Sequence, residues 1–361
     1  MRRRHQEVSL PPIIPRRGAI FLRSHGAPCW PPTRRSGKDA DLSDRAVATR
    51  ATIGETARVE LDDSLLDEWC RDELGAGVAE RIFAGGHLAA VVGLRLHDGR
   101  SVVLKVRPAS ARLTAVLRVQ RHLHDAGVPS PRPLAGPMAF QGQTVTAETF
   151  VPADLPPRAN PPPDLCAELL AKVVTAAPAA STVRELDPAP PWVAWDHVGV
   201  ETWPAPDDVD VDLNAVPGFD WLDEAARRVR RRLGEHTALE FVGHVDWEAH
   251  NLGWHDDRPI VIYDWDSLAI RTDATLAGAA ATVFGSTEGL TIAASITETD
   301  AFLDAYEGRR GRFVPEDLEA AWAAGLWTLL YNAKKETAGG GGGYLAHLER
   351  ELDQRMRRAG L

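Results

Sequence analysis

Cysteine is scarce: Cys29, Cys70 and Cys166 are the only three in 361 residues, far apart and without a C-x-x-C pair. Neither a disulfide framework nor a thiolate zinc site organises such a chain, and a reducing cytoplasm is the expected setting. Long apolar runs are also missing. No stretch approaches the roughly 18 residues a bilayer-spanning helix requires, and the Arg16-Arg17 pair is followed by only a short apolar segment, Ala19–Leu22, before Arg23 and His25 interrupt it. No export signal is read there. Basic charge is lacking beyond the first fifty residues, which hold eleven Lys and Arg against four Asp and Glu, whereas the remainder holds 30 against 47. With a formal net charge of -10, the body of the protein repels nucleic-acid backbones and favours cationic ligands, so neither a nucleic-acid nor a membrane partner is expected. Internal repeats are absent as well, and the oligomeric state is not legible.

What is present is an ordinary globular composition, 44% hydrophobic and 25% charged, long enough for two lobes. Residues 1–52 mix arginine clusters with Pro11, Pro12, Pro15, Pro28, Pro31 and Pro32 and show no sustained period, so they read as a disordered extension. Helical spacing over Asp63–Leu74 is followed by three short strand patterns, Ala79–Phe83, Ala89–Leu96 and Ser101–Val106, joined by Gly85-Gly86 and by His97-Asp98-Gly99-Arg100. A helix is predicted over Ala111–Ala126, ending at Gly127-Val128-Pro129, and strands over Pro133–Phe140 and Thr144–Val151 complete a small sheet. The Pro-rich stretch 152–163 marks a change of lobe, which sets the expected division at 53–151 and 152–361. Helical periodicity returns over Asp164–Ala176, Asp220–Leu233, Thr297–Tyr306 and Pro315–Lys334, while Gly339–Gly343 reads as a flexible loop.

Chemistry concentrates in His244-Val245-Asp246-Trp247-Glu248-Ala249-His250-Asn251, followed thirteen residues after Asn251 by Asp264-Trp265-Asp266. The spacing H-x-D-x-x-x-x-N suits a kinase catalytic loop. There an Asp takes or orients the proton of an attacking hydroxyl, and an Asn with a later Asp supplies oxygen ligands for Mg²⁺. Asp246 fits the first role, Asn251 and Asp264 the second, and His244 would brace the loop. Leu252-Gly253-Trp254 and Ile260–Tyr263 read as strands around a turn, so the two acidic segments flank a hairpin. Chance can produce any three fixed residues, and Asp264 could merely cap a strand. The order of a glycine turn, a lysine strand, a helix and two acidic motifs is harder to reach by chance.

Gly243–Asn251 with Tyr263–Asp266 resembles the aminoglycoside phosphotransferase-like kinases of the protein-kinase-like superfamily. The resemblance extends to Gly85-Gly86-His87-Leu88, Arg100–Val106 and Gly127–Leu134, and covers roughly residues 60–335. It implies an α+β fold with a small sheet-bearing lobe over a larger helical one and ATP between them. It further implies an ATP- and Mg²⁺-dependent phosphotransferase acting on a hydroxyl of a small-molecule acceptor. Lys105 would then meet the α- and β-phosphates, Gly85 and Gly86 would admit phosphate to the backbone, and the segment from Glu148 through Phe150 to Val151 would form a hinge near the adenine. One departure concerns the lysine. Kinase-like enzymes hold it with a Glu from the following helix, but residues 108–124 contain no acidic side chain, and Arg118 and Gln120 are the polar residues near the expected position. Lys105 is thus left without an evident acidic partner, and a carboxylate from elsewhere, another mode of holding, or nucleotide binding with little or no turnover are the alternatives. Two other readings stand beside the enzyme: a nucleotide-binding module without turnover, and a metal-dependent hydrolase using His244, Asp246 and His250. The acidic run Pro206–Asp212 near Trp203 and the arginines of 227–232 read as solvated surface.

Overall fold

A computed structural model describes residues 61–361 apart from 87–88, 154–160, 191–192, 207–208, 257, 288–291 and 340–341. The extension expected over residues 1–52 thus lies outside the described residues, as do parts of the Gly339–Gly343 loop and the acidic run. The first helix, α1 (Asp63–Leu74), starts where the Asp62 carboxylate accepts from the amides of Ser64 and Leu65, and stops at Gly75 with φ of 77°. Such a carboxylate satisfies the otherwise unpaired amides of the first turn. A five-stranded antiparallel sheet follows, formed by β1 (Val78–Gly85), β2 (Ala90–Leu96), β3 (Ser101–Arg107), β4 (Pro133–Phe140) and β5 (Gln143–Thr149) in the order β1-β2-β3-β5-β4. Between β3 and β4 runs α2 (Arg112–Asp125).

Alternation along the central strands sorts chemistry from packing. Val102, Leu104, Val106, Val145 and Ala147 join Leu66, Trp69 and Cys70 of α1 in one apolar core. Directly opposed residues of paired strands share a face, and the register pairs Val103 with Glu148, Lys105 with Thr146 and Arg107 with Thr144. The second face of the sheet therefore carries a row of charged and hydroxyl side chains.

The remainder is mainly helical: α3 (Pro163–Ala176), α4 (Asp220–Glu235), α5 (Asp273–Val283), α6 (Ile296–Arg310), α7 (Pro315–Gly339) and α8 (Tyr344–Arg358). Two small ladders interrupt it, β6 (Glu240–His244) with β9 (Leu268–Thr272) and β7 (Leu252–His255) with β8 (Arg258–Ile262). Of these, α5, α8, β6 and β9 are not foreseen in the sequence. Helix α5 is buried from Ala274 to Val283, so it has no polar face from which a period could be read. Arginines of α4 are less solvated than expected: the Arg230 guanidinium binds the carbonyls of Trp195, His197 and Gly199, and Arg232 reaches Glu319. Among the described residues, no helix is long and apolar enough to cross a membrane.

Helices α5 and α7 approach closely because Gly278 faces Gly325 and Ala321. A Cβ on Gly278 would sit 1.8 Å from the Ala321 carbonyl oxygen and 2.6 Å from its Cα. Backbone atoms inside a packed helix pair yield little, and overpacking of this kind costs about 1–3 kcal/mol. Gly278→Ala is expected to lower the unfolding free energy by at least that amount, measured by urea titration against Gly308→Ala, where nothing lies within 4 Å of the added carbon.

Candidate active site

Strand β6 ends at His244 and delivers the loop. The backbone ladder continues one step past it, with the Val245 amide donating to the Ser267 carbonyl (2.9 Å). His244 is fully buried. Its Nε2 lies 3.0 Å from the carbonyl oxygen of Tyr263, and its ring meets the indoles of Trp247 and Trp265 edge-on, at centroid distances of 5.6 and 5.8 Å. Both acidic segments are thus attached to one imidazole. Trp247 is anchored in turn by its Nε1 donating to the Cys166 carbonyl.

The loop then folds back on itself. Asn251 Nδ2 donates to the Asp246 carboxylate at 2.7 Å and to the Asp246 carbonyl at 3.0 Å. Both partners are acceptors, which fixes the amide orientation with Nδ2 towards Asp246. The Tyr263 amide donates to the Asn251 carbonyl (2.8 Å), so the hairpin returns Asp264 to the side of Asn251. Asp264 takes a left-handed conformation (φ 52°, ψ 52°), one that Asp tolerates better than most residues. Ser267 Oγ holds one of its carboxylate oxygens at 2.7 Å.

Lys105 faces this acidic group from β3. Its Nζ lies 3.4 Å from Glu148 Oε1, and the pair is largely buried. The helix carboxylate missing from the sequence is therefore replaced from β5. Glu148, read from the sequence as part of the hinge near the adenine, turns its carboxylate to Lys105 and Gln120. Two residues along β3, Arg107 donates to Thr146 Oγ1 (3.1 Å) and to Asp266 Oδ1 (2.8 Å). Arg112 of α2 donates to the Leu268 carbonyl (2.6 Å). These arginines bind the sheet and its helix to the segment that carries Asp264. Sequence reading passed over Arg107, although its position two residues from Lys105 on one strand put both on one face.

Gly85 ends β1 and Gly86 follows with φ of 108°; a Cβ there would meet the Ala89 carbonyl oxygen at 1.9 Å. Only glycine fits that turn. Phe150 follows β5, and its ring lies 5.8 Å from that of Phe83. The hydrolase ligand set does not assemble. His244 is engaged by Tyr263 and two indoles, His250 Nδ1 lies 3.3 Å from Glu248, and among the described residues no three His, Cys, Asp or Glu side chains gather as metal ligands.

Burial opposes ionisation of Asp264, yet Lys105, His244 and the Ser267 hydroxyl together hold its carboxyl below the usual range. Asp246 behaves in the opposite way: burial raises it, and the neighbouring Asp264 charge raises it further, against His244. Two neighbouring carboxylates are thereby driven apart in basicity, Asp264 towards the ionised form and Asp246 towards the protonated one. An ionised Asp264 carboxylate and the Asn251 amide oxygen are the oxygen donors that Mg²⁺ takes from a protein.

No protein-family model and no curated protein sequence matches the chain. Solved structures do match, at the level of fold. The amicoumacin kinase hAmiN, in complex with AMP-PNP and Ca²⁺, superposes with a TM-score of 0.54 at 11% identity, over 81% of this chain and 94% of its own. A thermostable mutant of the aminoglycoside phosphotransferase APH(4)-Ia, bound to ADP and hygromycin B, gives 0.52 at 13% identity, over 82% and 99%. Spectinomycin phosphotransferase APH(9)-Ia with ADP and spectinomycin gives 0.51 at 14% identity, over 83% and 94%. The chain has the two-lobed protein-kinase-like fold that these phosphotransferases share.

Glu248 supplies a test of the electrostatics. Burial and the adjacent Asp246 charge push its carboxyl from 4.5 up to about 8. A folded value above the unfolded one means that the neutral acid is favoured in the fold, so stability is highest below about pH 4.5 and is lost as pH rises through about 8. Glu248→Gln is expected to raise the Tm at pH 9 by about 2–4 °C or more and to change it much less at pH 5, read by thermal unfolding at both pH values.

Proposed function

We propose that the protein is an ATP- and Mg²⁺-dependent phosphotransferase that moves the γ-phosphoryl group to a hydroxyl of a small molecule. One observation carries this reading: Asp246, Asn251 and Asp264 are gathered by a single buried histidine, opposite Lys105, in a kinase-like two-lobed fold. The division into a nucleotide lobe at 53–151 and an acceptor lobe at 152–361 belongs to the same reading.

In this reading Asp246 receives the proton of the acceptor hydroxyl as its oxygen attacks the γ-phosphorus. The bond between that phosphorus and the β,γ-bridging oxygen breaks, and ADP departs with the electron pair. The Asn251 amide holds the Asp246 carboxylate in place through Oδ2, and raised basicity suits Asp246 to general-base work. His244 positions the loop and does not exchange protons with substrate. Lys105 carries positive charge to the α- and β-phosphates, and the Gly85-Gly86 turn lets the backbone approach them. Phe150 and the backbone beside it border the adenine. Mg²⁺ held by Asp264 and Asn251 Oδ1 supplies neutralisation of charge on the phosphates when bound.

The acceptor is taken to be a hydroxyl-bearing small molecule. Spectinomycin and hygromycin B occupy two of the structurally similar phosphotransferases, and the acidic body of this chain favours a cationic acceptor. A screen of aminoglycosides, macrolides, amino alcohols and sugars for acceptor-dependent ATP consumption is expected to identify at least one substrate. Asp246→Ala is expected to lower that turnover by about 10²–10⁴-fold with MgATP affinity retained. Turnover at the wild-type rate would remove Asp246 from the base role.

A further inference from the structure

Helix α2 carries no carboxylate between Arg112 and His124, yet Lys105 is paired. We propose that Glu148 is the positioning residue that holds Lys105 for phosphate, and that Gln120 aims Glu148. The inference rests on the nucleotide reading above and adds to it the origin of the lysine's counter-ion.

Three observations carry it. Glu148 lies on β5, hydrogen-bonded neighbour of β3, directly opposite Val103; Lys105, two residues on, is its diagonal neighbour on the same face, within reach of a long side chain. The carboxylate is divided between two partners, Oε1 facing Lys105 Nζ at 3.4 Å and Oε2 accepting from Gln120 Nε2 at 2.8 Å. Gln120 is 1% exposed, and the same Nε2 also donates to the Pro131 carbonyl at 3.0 Å. Both hydrogens of that amide are used, so its geometry is set by the fold and not by solvent. Around the lysine, Glu148, Asp264 and Asp266 attract its charge and Arg107 opposes it, and of these Glu148 is the carboxylate within ion-pair distance.

Moving the acid from helix to strand alters what the pair depends on. A helix-borne carboxylate reaches the lysine only when the helix is in place. Here both charges sit on adjacent strands of one sheet, and α2 contributes a neutral amide that orients the acid. The sheet therefore brings the two charges together, while the aim of the acid depends on α2 through Gln120. Removing one partner of a buried pair leaves the other uncompensated, which is costly.

The experiment measures MgATP affinity by titration calorimetry on the full chain, with Tm without nucleotide as the control for folding. Glu148→Gln is expected to weaken MgATP about 10–100-fold, the range for losing a hydrogen-bonded charge. Gln120→Leu, which removes the amide that aims the carboxylate and leaves the charge in place, is expected to weaken MgATP about 3–10-fold, less than Glu148→Gln. Where Glu148→Gln does not fold, Glu148→Asp is read instead, because it keeps the charge and retracts it by one methylene; MgATP binding weakened several-fold supports the assignment. Wild-type affinity in Glu148→Gln or Glu148→Asp overturns it, and wild-type affinity in a folded Gln120→Leu overturns the part assigned to Gln120. Wild-type protein that binds no MgATP removes the nucleotide reading and this inference with it, an outcome distinct from the others.

Discussion

The site depends on one buried imidazole. His244 donates from Nε2 to the Tyr263 carbonyl and packs edge-on against both Trp247 and Trp265. Asp246 lies two residues after the histidine, and Asp264 one residue after the carbonyl it binds. Their spacing is therefore set by one hydrogen bond and two aromatic contacts, not by any direct contact between the acids, which repel each other. A core that rigid permits a repulsive pair to persist, because packed interiors do not relax by small continuous shifts. Like charges held close then separate in basicity, and the two carboxylates become chemically unlike while remaining identical in composition.

A second constraint joins the sheet to this core. Arg107 reaches Asp266, and Arg112 reaches the Leu268 carbonyl. The lysine strand and the acidic segment are consequently tied twice just after Asp264, by a side-chain pair at Asp266 and by a backbone acceptor at Leu268. Lys105 and Asp264 face each other across this tie, each stabilising the charge of the other.

Much of this was legible beforehand, and the exceptions have a common cause. The predicted Asp63–Leu74 helix is observed with the same bounds, and all five sheet strands occur within a few residues of their expected limits. Amphipathic periods and glycine turns are local signals, and local signals survive in sequence. Helix α5 left none, since burial on every side removes the polar face that a period needs. Strands β6 and β9 are short partners separated by 23 residues of chain, from His244 to Leu268, and pairing at such range has no local signature.

The sequence by itself determined which groups are available: a loop with Asp246 and Asn251, an acid at 264, a lysine on a strand, and a helix without carboxylates. These follow from residue identity and short-range spacing. Tertiary structure alone decided that the lysine is nonetheless paired. Glu148 reads as hinge in the linear order, but strand β5 lies beside β3, and the register sets its carboxylate diagonal to Lys105 while Gln120 approaches from the helix. Distance in the chain says nothing of that meeting, because hydrogen-bonded register, not sequence separation, sets which side chains share a face.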